Sequence, residues 1–442
     1  MRIFSTYSVK VKEQNHIFKD TVNKYCNATD YFIRVCAAEW EAVEKFKGSF
    51  ERLRYVESLT ITTKNRPDVK YDFEKDYYKF PSYLRRSAIN EALGKVSSYK
   101  SNLHNYEEKI RNDPRCTDKK PRFPRAGRTY PAMYRDNMFV RTGTYTARLK
   151  VYTRNTWDWI DVELKKSDVD YIKHHCSTRE ECVPTLQKRG KEWFLDFGFK
   201  EKVKLTEKDV TDRIIIAVDL GINHACVCCA MDAKGTILGR HILSLPKEED
   251  SLRHAVNRIK RAQQHGSRKM PVLWAKAKGI NDDIAVKAAQ YIIDVAYKYN
   301  ADIIVFEHLD TNGKKSGSKR QRLHLWNKAY VQDMVSNKAH RVGMRVSTVN
   351  AKNTSKLAFD GSGKVERGID DNYSVCKFRS GKIYNSDLSA SYNIGARYFI
   401  REILKSMPAT AGSDIEAKVP ECTKRNTCTL STLINLNAAI SA

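Results

Sequence analysis

RIIIAVDLGINHA, residues 213–225, is the stretch on which the fold turns. Its apolar, β-branched run reads as a buried strand that carries Asp219 at its end, with Gly221 and Asn223 supplying a tight turn after it. Working outward, ADIIVFEHLD (301–310) is a second such run with Glu307 near its end, and YNSDLSASYNIGARYF (384–399) places Asp387 where a helix begins. Singly, each acid has a plain explanation as a turn former, an ion-pair partner or an N-cap. Together they supply hard oxygen ligands from three separated segments, the set that two Mg²⁺ ions about 3.5 to 4 Å apart need when they clamp a phosphodiester. No protein base or nucleophile is then required. His308 and Asp310 follow the Glu without an assignable role, and alternation on a strand points His308 away from Glu307.

Strand, strand, helix is the order of a ribonuclease-H-like nuclease, and the same residues resemble the TnpB transposon-encoded nucleases and their descendants, the compact type V CRISPR effectors. VDLGINHA is similar to the first segment of their split RuvC domain, IIVFEHL to the second and NSDLSASYNIGARYF to the third, so the resemblance gives Asp219, Glu307 and Asp387 the catalytic and metal-holding roles. Weaker similarity extends to FPSYLRRSAINEALGKVSSYKSNL (80–103) and to the basic RIKRAQQHGSRK (258–269). The family's four-cysteine zinc ribbon has one cysteine here, Cys376; Leu357, Asp360 and Arg379 stand where others are expected, and a tetrahedral zinc needs four ligands, so no zinc is expected. That degenerate loop keeps Lys364, Arg367, Lys377 and Arg379 for contact with a target strand, although a solvated basic loop explains them almost as well.

The resemblance implies a multidomain α+β protein. A β-barrel wedge domain of the oligonucleotide-binding type takes residues 1–12 and 123–212, and a helical recognition lobe takes 13–122. The RuvC-like nuclease domain takes 213–352 and 383–406, the degenerate ribbon 353–382 and a C-terminal tail 407–442. It further implies an RNA-guided DNA endonuclease with two Mg²⁺ ions, Mn²⁺ serving as a substitute. Its partners would be a structured guide RNA and a double-stranded DNA target carrying a short recognition motif, with one copy or a homodimer on one RNA. A guided DNA-binding repressor without cleavage and an unguided junction resolvase of the same fold are the rival readings.

Composition agrees with a polyanionic partner. Lys and Arg number 79 against 52 Asp and Glu, a net charge of +27, and aromatic residues, which stack on unpaired bases, make up 10% of the 442 residues. Eleven cysteines fall in no regular framework, and Cys226, Cys228 and Cys229 sit in an apolar run where thiols act as small hydrophobes. The pairs Cys176/Cys182 and Cys422/Cys428 read as unpaired thiols. With no leader-like segment and no apolar run near 20 residues, the expectation is a cytoplasmic, prokaryotic protein, associated with the nucleoid in action and without a membrane partner.

Along the chain, an opening strand (Arg2 to Val11) precedes a helical rhythm from Asn15 to Phe46 and a second helix through Ile89, Val96 and Leu103. The polar faces of that second helix present Arg85, Arg86, Lys95 and Lys100. Lys119, Lys120, Arg122, Arg125 and Arg128 occupy a Pro-rich basic stretch, read as a linker or a phosphate-facing loop, and Arg258, Lys260 and Arg261 a basic helix after the third nuclease strand; with Lys377 and Arg379 these are the candidate nucleic-acid contacts. Tyr145, Ala147, Leu149 and Val151 share one strand face, Trp157, Trp159 and Val162 mark its neighbour, and the opening strand is expected to return into that barrel. From Arg213 three strands form a meander, followed by α/β alternation. The residues after Ser406 carry no motif and read as peripheral.

Overall fold

The structure is a computed structural model that describes residues 1–12, 15–221, 225–308, 328–369 and 372–442. The chain divides into two units, Arg2–Glu201 and Lys202–Ala442, the second also holding Met1.

The first unit begins with β1 (Arg2–Lys12) and a helical set: α1 (Asn15–Ala38), α2 (Trp40–Glu44), α3 (Ser49–Thr60), α4 (Phe73–Asp76) and α5 (Ser82–Asn112). The periodicity from Asn15 to Phe46 is therefore two helices, because Glu39 leaves helical geometry with ψ near 15°. There follow β2 (Phe139–Arg141), β3 (Thr146–Thr153), β4 (Thr156–Leu164), α6 (Lys166–Cys176), β5 (Glu180–Glu181), β6 (Thr185–Arg189) and β7 (Glu192–Lys202). The strands order as β2-β3-β4-β1-β7-β5 with β6 on β7, so the opening strand returns into the middle of the sheet. Arg154 and Asn155, both at positive φ, form the two-residue turn that matches the twist of β3 and β4. Ala147, Leu149 and Val151 are buried on one face of β3, and they join Phe18, Tyr25, Phe32, Leu84 and Ile89 of the helices in one core.

The second unit carries β8 (Ile215–Asp219), β9 (Cys226–Met231), β10 (Ile237–Leu243), α7 (Pro246–Gln264), α8 (Pro271–Lys298), β11 (Ile303–His308), α9 (Lys328–Arg341) and β12 (Arg345–Asn350). A small antiparallel sheet of β13 (Glu366–Ile369), β14 (Asn372–Lys377) and β15 (Ile383–Asn385) comes next, then α10 (Ser386–Ser406), α11 (Ala409–Lys418) and α12 (Leu430–Ser441). The main sheet runs β10-β9-β8-β11-β12. Its first three strands are antiparallel, and β11 lies parallel to both β8 and β12. Alternation splits the strand residues between two cores. Ile216, Val218, Ile304 and Phe306 pack against α8 and α9, while Ile215, Ala217, Ile303 and Val305 pack against α10. Helix α10 is buried on nearly every side because it lies between the sheet and the C-terminal helices.

The segment after Ser406, expected to be peripheral, belongs to this core: Ile415, Val419, Leu430, Leu433 and Leu436 share a cluster with Ile394 and Phe399 of α10. Its apolar residues are spaced by short helices too weakly periodic to stand out in sequence. All eleven cysteines are free, Cys226, Cys228 and Cys229 buried in β9 among them. Among the described residues no helix is long and apolar enough to cross a membrane. Asn223, His224 and Asp310 lie outside the described residues.

Candidate active site

Strand pairing brings the first two acids together. Ile303 sits opposite Ile215 and the register runs to Phe306 opposite Val218, so one residue further on Glu307 stands beside Asp219 on strands about 4.8 Å apart. Both belong by alternation to the sheet face that α10 covers. Asp387 lies in the first turn of that helix, where the Asn385 side chain caps the end by accepting from the Asp387 and Leu388 amides at 3.0 and 2.9 Å. Gly395 lets the helix come this close: a Cβ there would meet the Met231 sulfur at 3.0 Å and the Ala217 Cβ at 3.3 Å.

Asp219 is a half-buried residue whose carboxyl group is enclosed by protein. Burial drives its carboxyl well above the ordinary range, and the charges of Glu307 and Asp387 push it further, against the pull of Lys328 and Arg367. Burial also raises Glu307, opposed by a hydrogen bond from Thr354 and by Lys328 and Arg397. Lys328, at the start of α9, is lowered to about 8 by burial although both carboxylates favour its charge. Thr354 Oγ1 donates to Glu307 Oε1 and also has the Ala351 carbonyl at 3.0 Å. One hydroxyl proton serves one acceptor at a time, so a protonated Glu307 can become the donor and release Thr354 to Ala351. Gln332 Nε2 donates to the Glu307 backbone carbonyl at 3.1 Å.

Two residues of α10, one turn apart, fix the surrounding loops. Asn393 Nδ2 donates to the carbonyls of Thr354 and Leu357, both at 2.9 Å, while its Oδ1 accepts from the Leu430 amide at 3.2 Å. The Arg397 guanidinium donates to the carbonyls of Asn350, Lys352, Asn426 and Cys428. Thr354, Asn393, Arg397 and Lys328 were not singled out in the sequence; the only signal for the first three is a buried polar residue inside an apolar stretch or beside one.

The three acids thus share one electrostatic neighbourhood. They do not form a ready ligand cluster: among the described residues no three His, Cys, Asp or Glu side chains are close enough to hold one ion as they stand. Glu307 accepts from Thr354, and Asp387 has Ser386 Oγ at 3.4 Å. The donor set still fits a hard divalent cation, being all carboxylate and destabilised by its own charge.

The candidate nucleic-acid residues divide into two kinds. Arg85 and Arg86 both engage the Glu57 carboxylate, at 3.4 and 3.2 Å, and Lys95 pairs with Glu91 at 3.1 Å, so these charges are partly spent within the unit; Lys100 is half-buried. Lys119, Lys120, Arg122, Arg125, Arg128, Arg258, Lys260, Arg261, Lys377 and Arg379 are exposed. In the small sheet, Ala358, Phe359, Val365, Cys376, Phe378 and Tyr384 make an apolar core, Cys376 Sγ donates to the Tyr384 carbonyl, and Asp360 accepts from Ser380 Oγ at 3.3 Å. Arg367 donates to the Ser355 carbonyl at 2.8 Å, and its charge reaches Asp219.

Residues 5–153 match the model of the Aq_aa04 family. The chain is similar to the TnpB-like protein aq_aa05 of Aquifex aeolicus, 26% identical over 234 residues that cover 47% of this chain and 74% of that one. It is also 29% identical over 171 residues to the uncharacterized protein aq_aa04 of the same organism, covering 34% of this chain and 95% of the relative. Among solved structures, that of a Cas12f1–sgRNA–target DNA complex aligns with a TM-score of 0.52 at 15% identity, over 86% of this chain and 81% of that one, a likeness of fold.

Proposed function

We propose that this TnpB-like chain is an RNA-guided DNA endonuclease. The observation that carries the reading is the placement of Asp219 and Glu307 side by side on parallel strands, facing the helix whose first turn holds Asp387. In this reading the second unit is the RuvC-like nuclease, with its ribbon at 353–382. The first unit holds the wedge sheet and the recognition helices that bind guide RNA and read a motif in duplex DNA, and guide pairing reads the rest of the target.

Asp219, Glu307 and Asp387 would hold two Mg²⁺ ions, which supply an activated water and stabilisation of the leaving oxygen. The chain's own residues do the positioning. Thr354 orients Glu307, Asn393 holds Thr354 by its carbonyl, and Arg397 keeps the loop at 350–352 in place. Lys328 and Arg367 oppose the rise that burial and the neighbouring acids impose on Asp219.

The test is cleavage of guided target DNA in Mg²⁺ and again in EDTA. Wild type is expected to cut only with the metal, and Asp219→Ala to bind target normally while cutting at background. Wild-type cutting by a clean Asp219→Ala preparation would overturn the reading. The lost zinc ligands, with Cys376 alone between 353 and 382, lend weight to one rival, a guided DNA binder without cleavage; that rival predicts unchanged DNA binding and no Mg²⁺-dependent product from the wild type.

A further inference from the structure

We propose that a cleft walled by β12, α10 and the C-terminal segment seats one or two nucleotides of the single-stranded DNA being cut, next to the scissile phosphate. The inference rests on the nuclease reading above and adds a binding site to it. The cavity measures about 770 Å³, within the roughly 300 to 1,000 Å³ typical of small-ligand sites. Val349, which pairs with Glu307 across β11 and β12, belongs to its lining, so a strand whose phosphodiester lies at the acids passes beside the cleft.

Its chemistry is that of a nucleotide seat. Lys352, Arg401, Lys405 and Arg425 line it against one acid, Glu416, while Val349, Ile400 and Leu404 give an apolar floor for a sugar or base. The cations are not equivalent. Arg401 already donates to the Thr348 carbonyl, Ser347 Oγ and Glu402, and Lys405 stands 3.9 Å from the same glutamate. Lys352 and Arg425 are exposed and have no ion-pair partner among the described residues. Arg397 contributes shape: its guanidinium ties Lys352 on one wall to Asn426 and Cys428 on the other, which holds the cleft open at a fixed width. A phosphate backbone satisfies both loose cations, and phosphate contacts fix the register of a strand without reading its sequence.

The experiment uses the full chain, a short single-stranded oligonucleotide carrying a photoreactive thymine, and EDTA, so that binding is read without cutting. Cross-links are expected to map to 400–405 and 422–428. In Lys352→Glu/Arg425→Glu they should fall at least tenfold there and remain elsewhere, with the salt slope of binding reduced by about 1.4. Thr423→Trp, which fills the cleft without changing charge, should reduce the same cross-links. In guided cleavage both variants should raise KM and leave kcat near wild type. Cross-links absent from these peptides, or unchanged in both variants, would sink the proposal even if wild type cuts DNA. Cross-links that map as expected on a protein that never cuts would instead uphold the cleft and refute the nuclease reading.

Discussion

At the scale of single residues, the candidate site is a set of carboxylates held in an arrangement that costs free energy. Asp219 is the clearest case. Its carboxyl is raised by burial and by Glu307 and Asp387, so the folded chain binds that proton more tightly than the unfolded chain does. The stability this group allows is therefore complete below the unfolded value near 3.9 and is lost as pH climbs toward the higher folded value. Asp219→Asn removes the loss. In EDTA at pH 7 the variant is expected to melt higher than wild type, by roughly 2 to 4 °C for each kcal/mol relieved, with the difference vanishing in acid. Mg²⁺ should raise the melting temperature of wild type and not of the variant. Equal melting curves for the two proteins at pH 7 would count against a mutually repelling site. Thr354 makes a second case. Thr354→Val keeps the shape of a side chain that is 2% exposed and deletes the donor to Glu307. An orienting partner of this kind is worth about 10- to 100-fold in metal affinity or activity, so the Mg²⁺ concentration for half-maximal cleavage should rise by that factor.

At the scale of elements, what could be read in the sequence was what repeats. The strands around Asp219 and Glu307 show as β-branched runs because both faces of a central strand are buried, and β1, β3 and β4 show as alternation because their faces differ. The acids were legible for the same reason, each closing or opening a periodic element. What could not be read depends on contacts distant in sequence. Nothing local marks Thr354 as the partner of Glu307, 47 residues away, or Leu430 as the partner of Asn393. The small sheet escaped notice because its three strands are short and its core is six side chains. Two substitutions probe these hidden dependences. Gly395→Val forces branched atoms against Ala217 Cβ, which cannot move without moving β8; a cost of about 1 to 3 kcal/mol is expected from chemical denaturation. Leu433→Ala in α12 empties a fully buried position in the cluster that includes α10, and should cost about 2 to 5 kcal/mol. A tail that was merely peripheral would lose almost nothing.

At the scale of the whole molecule, a net charge of +27 is far more than folding needs and sets how the protein meets polyanions. The surplus is not spread evenly over function. Arg85 and Arg86 converge on Glu57, whose side chain is 16% exposed, and that glutamate joins α3 to α5. Lys119, Lys120, Arg122, Arg125 and Arg128 occupy an exposed stretch that is neither helix nor strand. If such charges meet a single-stranded phosphate backbone, each one neutralised contributes about 0.7 to the slope of log affinity against log salt. Replacing those five by Gln should therefore lower the slope for RNA binding by about 3.5, and the loss of affinity should be largest in dilute salt. Replacing Arg85 and Arg86 by Gln should act differently: a half-buried glutamate loses its partners, the melting temperature falls, and the salt slope barely changes. Fluorescence anisotropy of a labelled RNA across a salt series, paired with thermal melts of both variants, separates charge that binds from charge that braces. A slope lowered equally by the two sets of substitutions would show that the Glu57 pairs open on RNA binding, and that α5 offers the very cations this structure uses to hold it to α3.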